Sequence, residues 1–186
     1  MRLFLACNLS QEVKDYFARQ VKDLEKTLPP GIKWVDSDNY HITLKFLGDT
    51  SENKAEEIIT SLSQIETQGE FTCKFEDLSA FPAEDYPRVL ISKVTSGRSP
   101  LLTLQEKIEE IALNYGFAPE KHDFTPHVTL GRVKDKSAIK RTARHFNQDS
   151  IGENIEIKEI ISKFSLIKSI LRSQGPIYKP IFTRKI

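Results

Sequence analysis

The sequence predicts an α+β fold with antiparallel sheets, built as one domain over residues 1–186. Segments with strand and helix patterns are mixed, without the regular alternation that builds a parallel sheet. Hydrophobic residues make up 39% of the chain and charged residues 28%, and 27 Lys and Arg balance 26 Asp and Glu. This composition is typical of a globular protein, because disordered chains have few large apolar residues and a high net charge. No low-complexity or Gly/Ser-rich linker divides the chain, so one domain, or one domain of two lobes, is expected.

The charge, the apolar runs and the cysteines argue against several classes of protein. A formal charge of +1 excludes a purely electrostatic grip on nucleic acid but leaves room for a local basic groove. The longest apolar runs have about five residues, whereas a membrane-spanning helix needs roughly 20. Cys7 and Cys73 are isolated, so neither a disulfide framework nor a Cys-x-x-Cys zinc site is indicated. We therefore expect a cytoplasmic protein that does not bind membranes.

In the first third of the chain, strand and helix signals follow one another irregularly. An apolar run opens the chain and predicts a buried strand. The helix after it has an apolar stripe at spacings of three and four residues, and Pro29-Pro30-Gly31 ends it. Serine side chains stand where helix caps are needed, because a cap accepts hydrogen bonds from free backbone amides. The predicted strands are residues 2–8, 33–35 and 40–47, and the predicted helix caps are Ser10 and Ser51.

The rest of the chain continues this mixture. Ser99 with Pro100 is a strong helix start, because proline is favoured at the first helical position. Gly116 is suited to end this helix, since glycine readily adopts the left-handed conformation of a C-terminal cap. Alternating apolar residues predict half-buried strands elsewhere. The predicted strands are residues 71–75, 89–94, 125–133, 154–161, 163–170 and 177–183, and a polar helix is expected at 136–147.

A four-residue pattern occurs twice in predicted strands. Residues 41–44 are His-Ile-Thr-Leu and residues 127–130 are His-Val-Thr-Leu, in a chain with four histidines. From the composition, two chance matches to such a pattern are expected about once in a thousand chains. A local structural hydrogen bond is the usual explanation for one lone His-x-Thr, but a poor one for a matched pair.

The spacing puts a histidine and a threonine on the same face of each strand, because residues i and i+2 point the same way. The four side chains are His41, Thr43, His127 and Thr129. If the strands lie side by side, the two imidazoles and two hydroxyls converge on one cleft. Two histidines can act as general base and general acid near neutral pH, and hydroxyls with a cation can hold phosphate oxygens. This set is suited to phosphoryl transfer without a metal. The sequence has no motif for a zinc site, for a nucleophilic serine or cysteine, or for an ATP- or GTP-binding loop.

The chain resembles the 2H phosphoesterases, whose signature is two His-x-Thr-x motifs on strands. The closer resemblance is to their RNA 2′,3′-cyclic phosphodiesterase branch, also called the 2′-5′ RNA ligase family. It covers nearly the whole chain, with the family's segments in order and at matching spacing. The matching segments are Met1 to Ala6, Lys33 to Val35, His41 to Gly48, Phe81-Pro82, Pro87 to Leu90, Phe124 to Arg132, Ser169-x-Leu171 and Gly175-Pro176-x-Tyr178.

The resemblance implies a bilobal α+β fold, in which two antiparallel sheets, each flanked by helices and carrying one motif, face across a central cleft. It implies hydrolysis of an RNA terminal 2′,3′-cyclic phosphate to a 2′-phosphate, without cofactor, metal or nucleoside triphosphate. By this resemblance His127 accepts the proton of the attacking water and His41 gives a proton to the departing 3′-oxygen. Thr43 and Thr129 would bind the non-bridging oxygens. The same groups with acid and base exchanged would carry the reverse reaction, 2′-5′ ligation to a 5′-hydroxyl.

Arg132 matches an arginine in the second motif block of this family, where it would neutralise the phosphate through its forked guanidinium. Strict strand alternation puts Arg132 on the face opposite His127. Gly131 between them could mark a bulge that turns Arg132 back toward the histidine. The alternative is a solvated arginine at the end of a strand.

Three more residues are candidates for binding substrate. Lys45 has the same parity as His41, so it either lines the cleft or is a solvated strand residue. Phe46 could stack on a base, although core packing is the commoner fate of such a residue. Arg88 could contact an RNA backbone or be merely exposed.

Two other functions compete with an RNA phosphodiesterase. One is a phosphodiesterase acting on a small cyclic nucleotide, and the other is a non-catalytic module that binds nucleotides or RNA. The expected partner is RNA ending in a 2′,3′-cyclic phosphate, of which a tRNA fragment is one candidate. A monomer is the default, since no coiled-coil heptads are present.

Overall fold

The computed structural model describes residues 1–148, 157–173 and 175–186. In these ranges the chain forms nine strands, four α-helices and one short 3-10 helix at Ser37–Asn39. The strands are β1 (Arg2–Asn8), β2 (Ile32–Trp34), β3 (His41–Asp49), β4 (Phe71–Ala83), β5 (Tyr86–Ser96), β6 (His127–Val133), β7 (Lys158–Ile161), β8 (Lys163–Arg172) and β9 (Gly175–Lys185). The helices are α1 (Gln11–Thr27), α2 (Glu52–Ser63), α3 (Arg98–Asn114) and α4 (Lys136–Gln148).

The helix caps predicted from serines and glycine are largely present. Ser10 Oγ accepts from the Val13 amide at 3.4 Å and Ser51 Oγ from the Lys54 amide at 3.3 Å, so α1 and α2 begin where the sequence predicts. Gly116 has a left-handed φ of 72° and follows the end of α3. These boundaries could be predicted because each depends on a hydrogen bond or a backbone conformation within one turn.

Other predicted boundaries differ from the structure. Helix α3 begins at Arg98, and its cap is Gly97 with a φ of 78° instead of Ser99. A Cβ at Gly97 would collide with the Thr72 carbonyl oxygen of β4, so a packing contact sets this helix start. Strand β4 extends to Ala83, eight residues past its predicted end. The predicted strand at 154–161 is present from Lys158 onward, and residues 154–156 lie outside the described residues.

The nine strands form one antiparallel sheet in the order β7-β4-β5-β6-β3-β1-β8-β9, with β2 paired to β6. The α+β class with antiparallel pairing is therefore confirmed, whereas the expected pair of separate sheets is not. The two motif strands, β3 and β6, pair with each other through Ile42 and Val128. This pair joins the two halves of the sheet. We call β3, β1, β8 and β9 the His41 half of the sheet, and β6, β5, β4 and β7 the His127 half.

The sheet curls, so that its edge strand β7 reaches the start of helix α1. Glu159 of β7 is buried, and its Oε2 accepts from the Ser10 hydroxyl at 2.7 Å and from the Ser10 amide at 3.0 Å. In the order of strands, β7 and β1 are five positions apart. Only a strongly curved sheet allows this contact.

The core lies between the sheet and helices α1, α2 and α3. Their predicted apolar stripes are buried there, at Val13, Phe17, Val21, Ala55, Ile58, Leu62, Leu101, Leu104 and Ile108. Cys7 and Cys73 are free thiols in this core. Burial raises the pKa of both thiols, that of Cys73 to about 12. In the described ranges no helix is long and apolar enough to cross a membrane.

We predict that Glu159→Ala lowers the free energy of unfolding by about 2 kcal/mol, since it removes two charge-assisted hydrogen bonds that the buried Glu159 carboxylate accepts from Ser10. Urea unfolding at pH 7.5 measures the change. Glu57→Ala, at an exposed carboxylate on α2, is the matched control and should cost less than about 0.5 kcal/mol. Equal losses in the two variants would contradict a stabilising role for the contact between β7 and α1.

Candidate active site

The two His-x-Thr motifs lie on adjacent antiparallel strands, β3 and β6, which pair at Ile42 and Val128. These two side chains have no exposed surface and anchor the motifs in the core. The half-buried side chains on the other face are His41, Thr43, His127 and Thr129. The structure therefore brings both imidazoles and both hydroxyls to one face, at the joint between the two halves of the sheet.

Backbone carbonyls fix the orientation of both imidazoles in the same way. His41 Nδ1 lies 2.6 Å from the Asn39 carbonyl oxygen, and His127 Nδ1 lies 2.7 Å from that of Thr125. A carbonyl only accepts, so Nδ1–H is the donor and Nε2 is the unprotonated nitrogen of each neutral ring. The His41 Nε2 accepts from the Thr43 hydroxyl at 2.9 Å. Each histidine is thus prepared to take a proton through Nε2.

Aromatic rings pack against both imidazoles. The Phe4 ring lies 5.0 Å from the His41 ring, centroid to centroid, and the Tyr178 ring meets His41 edge-on at 5.4 Å. Phe81 of β4 meets His127 edge-on at 4.9 Å. These rings displace water from the imidazoles, which favours the neutral form of each histidine.

Burial dominates the ionisation of both histidines. It lowers the pKa of His41 to about 4, against the opposing effect of the Asn39 carbonyl, and the charges of His127 and Lys14 lower it further. Burial also lowers the pKa of His127, where the Thr125 carbonyl opposes it and the Arg132 charge adds to it. Both imidazoles are therefore neutral at pH 7 when no ligand is bound.

Both motif strands carry a bulge at the fourth residue of the motif. Leu44 has no partner on β1 and Leu130 has none on β5, because the register shifts by one residue at each place. A bulge reverses the alternation of faces beyond it. The residue five positions after each histidine, Phe46 in one strand and Arg132 in the other, therefore returns to the face of the histidine.

Arg132 lies with the histidines, as the possibility of a bulge at Gly131 predicted. Its side chain is exposed, and its charge lowers the pKa of His127 and opposes the effect of burial on the pKa of Tyr178. It makes no ion pair or side-chain hydrogen bond within the described ranges. A guanidinium in this state can bind the two oxygens of a phosphate side by side.

Lys45 does not lie with the histidines, so its predicted place in the cleft is wrong. The bulge at Leu44 turns it to the opposite face, where it is only 2% exposed. Its Nζ lies 2.9 Å from Glu109 Oε2 of α3 and donates to the Ala118 carbonyl at 2.8 Å. A second carboxylate, that of Glu120, lies 3.4 Å away. Lys45 therefore ties β3 to the helical layer.

Phe46 departs from the commoner expectation, whereas Arg88 is exposed, as both of its predicted alternatives allow. The Phe46 side chain is 63% exposed, and its ring centroid lies 6.0 Å from that of Phe4. Phe46 is therefore not packed in the core, although core packing is commoner for phenylalanine. Arg88 is exposed where the register between β4 and β5 shifts. Across the described ranges, no contact joins Arg88 to either histidine.

Sequence reasoning assigned no role to three residues beside the histidines. In the sequence, Tyr178 appears only within the matching segment Gly175-Pro176-x-Tyr178. Phe4 appears only as a residue of the first strand, although its spacing from Arg2 and Ala6 puts all three on one face. Lys93 is the direct partner of His127 across β5 and β6. Its position depends on register, which the sequence does not reveal. Within the described ranges, no group of three or more His, Cys, Asp and Glu could hold a metal ion.

Comparison with known proteins gives a family match over most of the chain. The family model described as LigT like phosphoesterase matches residues 8–91 and 93–178. A curated relative from Aeropyrum pernix, named RNA 2′,3′-cyclic phosphodiesterase, is 38% identical over 157 residues, which are 83% of this chain and 86% of the relative. A relative of the same name from Archaeoglobus fulgidus is 35% identical over 182 residues, covering 97% of this chain and 98% of the relative.

Solved structures have the same fold. E. coli LigT in complex with 3′-AMP superposes with a TM-score of 0.80 at 23% identity, covering 100% of this chain and 97% of that one. A protein from Thermus thermophilus superposes with a TM-score of 0.76, also at 23% identity and with the same coverage. At this identity, the similarity extends to the α+β fold with its curled antiparallel sheet and four helices.

We predict that His41→Gln makes the protein more resistant to mild acid. The folded protein holds the pKa of His41 at about 4, against an ordinary value of 6.5, so the unfolded chain binds the extra proton between these values. Stability therefore falls as the pH drops from 7 to 4, by up to about 3 kcal/mol for this group. His41→Gln has no imidazole to protonate at this position, so this part of the fall in stability is absent from the variant.

Urea unfolding of wild type and His41→Gln at pH 7.5 and pH 4.5 measures the difference. The stability of the variant relative to wild type should rise on going to pH 4.5. His122→Gln, at an exposed histidine, should leave the pH dependence as in wild type. A relative stability of His41→Gln that does not change with pH would contradict a neutral, buried His41.

Proposed function

The chain belongs to the family of LigT-like phosphoesterases, and we propose that it hydrolyses the 2′,3′-cyclic phosphate at an RNA end to a 2′-phosphate. The observation that carries the proposal is the pair of imidazoles held on adjacent strands, each with Nδ1 bound to a carbonyl and Nε2 left for chemistry. The exposed Arg132 on the same face supplies an anion site. The shared name of the curated relatives supports a cyclic phosphate on RNA as the substrate.

In the proposed reaction, His127 Nε2 takes a proton from water, and the water oxygen attacks the phosphorus atom. The bond from phosphorus to the 3′-oxygen breaks, and His41 Nε2–H donates its proton to that oxygen. The 2′-oxygen keeps the phosphorus, so the product is a 2′-phosphate. Arg132, Thr43 and Thr129 would hold the non-bridging oxygens as negative charge develops on them.

The Thr43 hydroxyl couples the protonation of His41 to substrate binding. In the free protein this hydroxyl donates to the neutral His41 Nε2. The negative charge of a bound phosphate raises the pKa of His41 and favours its protonated form. Once Nε2 carries a proton, the Thr43 hydroxyl is released to donate to a phosphate oxygen. Substrate thereby creates the proton donor that the reaction needs.

Two finer features belong to the same proposal. One is a single bilobal domain whose two halves face across a cleft, with aromatic rings at His41 and a cation at His127. The other is 2′-5′ ligation, in which a 5′-hydroxyl replaces the attacking water and the steps run in reverse.

Phosphorus NMR of the product tests the proposed reaction. A short RNA ending in a 2′,3′-cyclic phosphate, incubated with the protein in excess EDTA, should yield a 2′-phosphate. His41→Ala and His127→Ala should each lower kcat by about 10²- to 10⁴-fold, as expected when a general acid or base is lost. His122→Ala is the matched control and should retain wild-type activity.

The other outcomes separate the competing functions. A 3′-phosphate would reverse the assignment of the leaving oxygen while keeping the two-histidine chemistry. Turnover of a nucleoside 2′,3′-cyclic phosphate but not of RNA would favour a small-molecule phosphodiesterase. No turnover of either substrate would favour a binding module. Activity that survives the loss of both histidines would overturn the mechanism.

We predict that kcat/KM has an optimum on the acid side of pH 6.5. The active form has His41 protonated and His127 neutral. In the free protein both pKa values lie below 6.5, that of His41 near 4. The population of the active form therefore falls as the pH rises above the higher of the two values. In the complex the phosphate raises both pKa values, so the optimum of kcat should lie at higher pH.

Initial rates from pH 4 to pH 9 at constant ionic strength measure both profiles. Arg132→Gln provides an internal check, because removing its charge should raise the pKa of His127 and move that limb of kcat/KM to higher pH. Coincident optima for kcat and kcat/KM above pH 7.5 would contradict the neutral state of the free histidines.

A further inference from the structure

The two halves of the sheet are matched in geometry but differ in chemistry. At the equivalent position five residues after the histidine, the His41 half has Phe46 and the His127 half has Arg132. Around His41, the Phe4 ring contacts Phe46 at 6.0 Å and Tyr178 at 4.9 Å. One side of the site is therefore an aromatic surface and the other is cationic.

The chemistry assigns the nucleoside to the aromatic side. In a displacement at phosphorus, the entering and leaving oxygens lie on opposite sides. If His127 activates water and His41 protonates the 3′-oxygen, the ribose that carries this oxygen lies on the His41 half. Its base then meets the ring of Phe46, which is 63% exposed, packs against the buried Phe4 and offers a stacking surface to any base. The RNA chain upstream must leave over the same half.

A row of polar side chains lies beyond these rings on the same face. In β1, Arg2 shares its face with Phe4, since the two residues are i and i+2 and this strand has no bulge against β8. Leu3 of β1 pairs with Lys168 of β8. One residue further along this antiparallel pair, Arg2 therefore lies beside Ser169. Ser169 in turn pairs with Tyr178 of β9. At about 4.8 Å per strand, the backbones of Arg2 and Tyr178 are about 10 Å apart.

Arg2 is available to an anion. Its side chain is exposed, and it makes no ion pair or side-chain hydrogen bond in the described parts of the chain. Its charge reaches the Tyr178 hydroxyl, whose pKa burial raises and the charges of Arg132 and Arg2 lower. Tyr178 thus lies between one cation at the histidines and another at the far end of the aromatic surface.

We propose that Arg2, with the hydroxyls of Ser169 and Tyr178, binds the phosphodiester on the 5′ side of the terminal nucleotide. The protein then prefers an RNA end to an isolated nucleoside 2′,3′-cyclic phosphate. This inference rests on the proposed function, because it takes the direction of the nucleotide from the roles of the two histidines.

Asp49 limits the strength of this site. It pairs directly with Arg2 across β1 and β3, on the same face. A carboxylate on the strand next to Arg2 repels a phosphate that binds to Arg2. Removing its charge should therefore strengthen the site, whereas removing the charge of Arg2 should weaken it. The two variants give changes of opposite sign.

The experiment compares two substrates that differ in one phosphodiester. These are adenosine 2′,3′-cyclic phosphate and the dinucleotide ApA ending in a 2′,3′-cyclic phosphate. The readout is the ratio of kcat/KM for the dinucleotide to kcat/KM for the mononucleotide. Arg2→Gln should lower this ratio about tenfold, mainly through KM, since it removes a charge-assisted contact. Arg2→Lys should give an intermediate ratio, and Asp49→Asn should raise the ratio.

Lys179→Gln is the matched control. It removes one positive charge beside Tyr178 on the opposite face of β9, so its ratio should equal that of wild type. A ratio for Arg2→Gln within twofold of wild type, or an equal fall in Lys179→Gln, overturns the subsite while leaving the proposed function in place. Wild-type protein that hydrolyses neither substrate overturns both. Arg2 is exposed, so these variants test binding rather than folding.

Discussion

The pairing of β3 with β6 at Ile42 and Val128, with an extra residue two positions later in each strand, determines the geometry of the whole site. The pair joins the two halves of the sheet and sets the imidazoles on one face. The extra residue then reverses the alternation of faces. Without it, Arg132 would point to the face opposite the histidines. The two β-bulges are therefore part of the architecture of the site.

The low basicity of the histidines follows from the same packing. Phe4, Tyr178 and Phe81 enclose the imidazoles and make the charged forms costly. In the absence of a bound anion, both histidines are therefore bases and neither is an acid. A phosphate changes that balance because it is an anion brought into a site of low dielectric constant, where charges interact strongly. In the proposed mechanism, the proton donor therefore stays neutral until the phosphate binds.

Features that depend on neighbouring residues could be predicted from the sequence, and features that depend on distant pairing could not. The caps at Ser10 and Ser51 and the shared face of His41 and Thr43 need only local geometry. The fates of Lys45 and Phe46 depend on the register between β1 and β3, which no local pattern records. Parity alone gave the wrong face for Lys45. The same reasoning reached the right face for Arg132 only because Gly131 suggested a bulge.

The two bulges also show why equivalent positions carry such different residues. The fifth residue of each motif block is turned to the back of the sheet, where it is Lys45 in one half and Gly131 in the other. Behind Lys45, Glu109 of α3 supplies a carboxylate, and a buried cation requires such a partner. Beside Gly131, the Trp34 side chain of the paired strand β2 packs so closely that an added Cβ would lie 2.9 Å from its ring. The two bulges thus have different neighbours, a helix behind the sheet in one case and a paired strand within the sheet in the other. The two histidine faces can therefore keep the same register while their surroundings differ. Each half can then present a different side chain on this face, aromatic Phe46 in one and cationic Arg132 in the other.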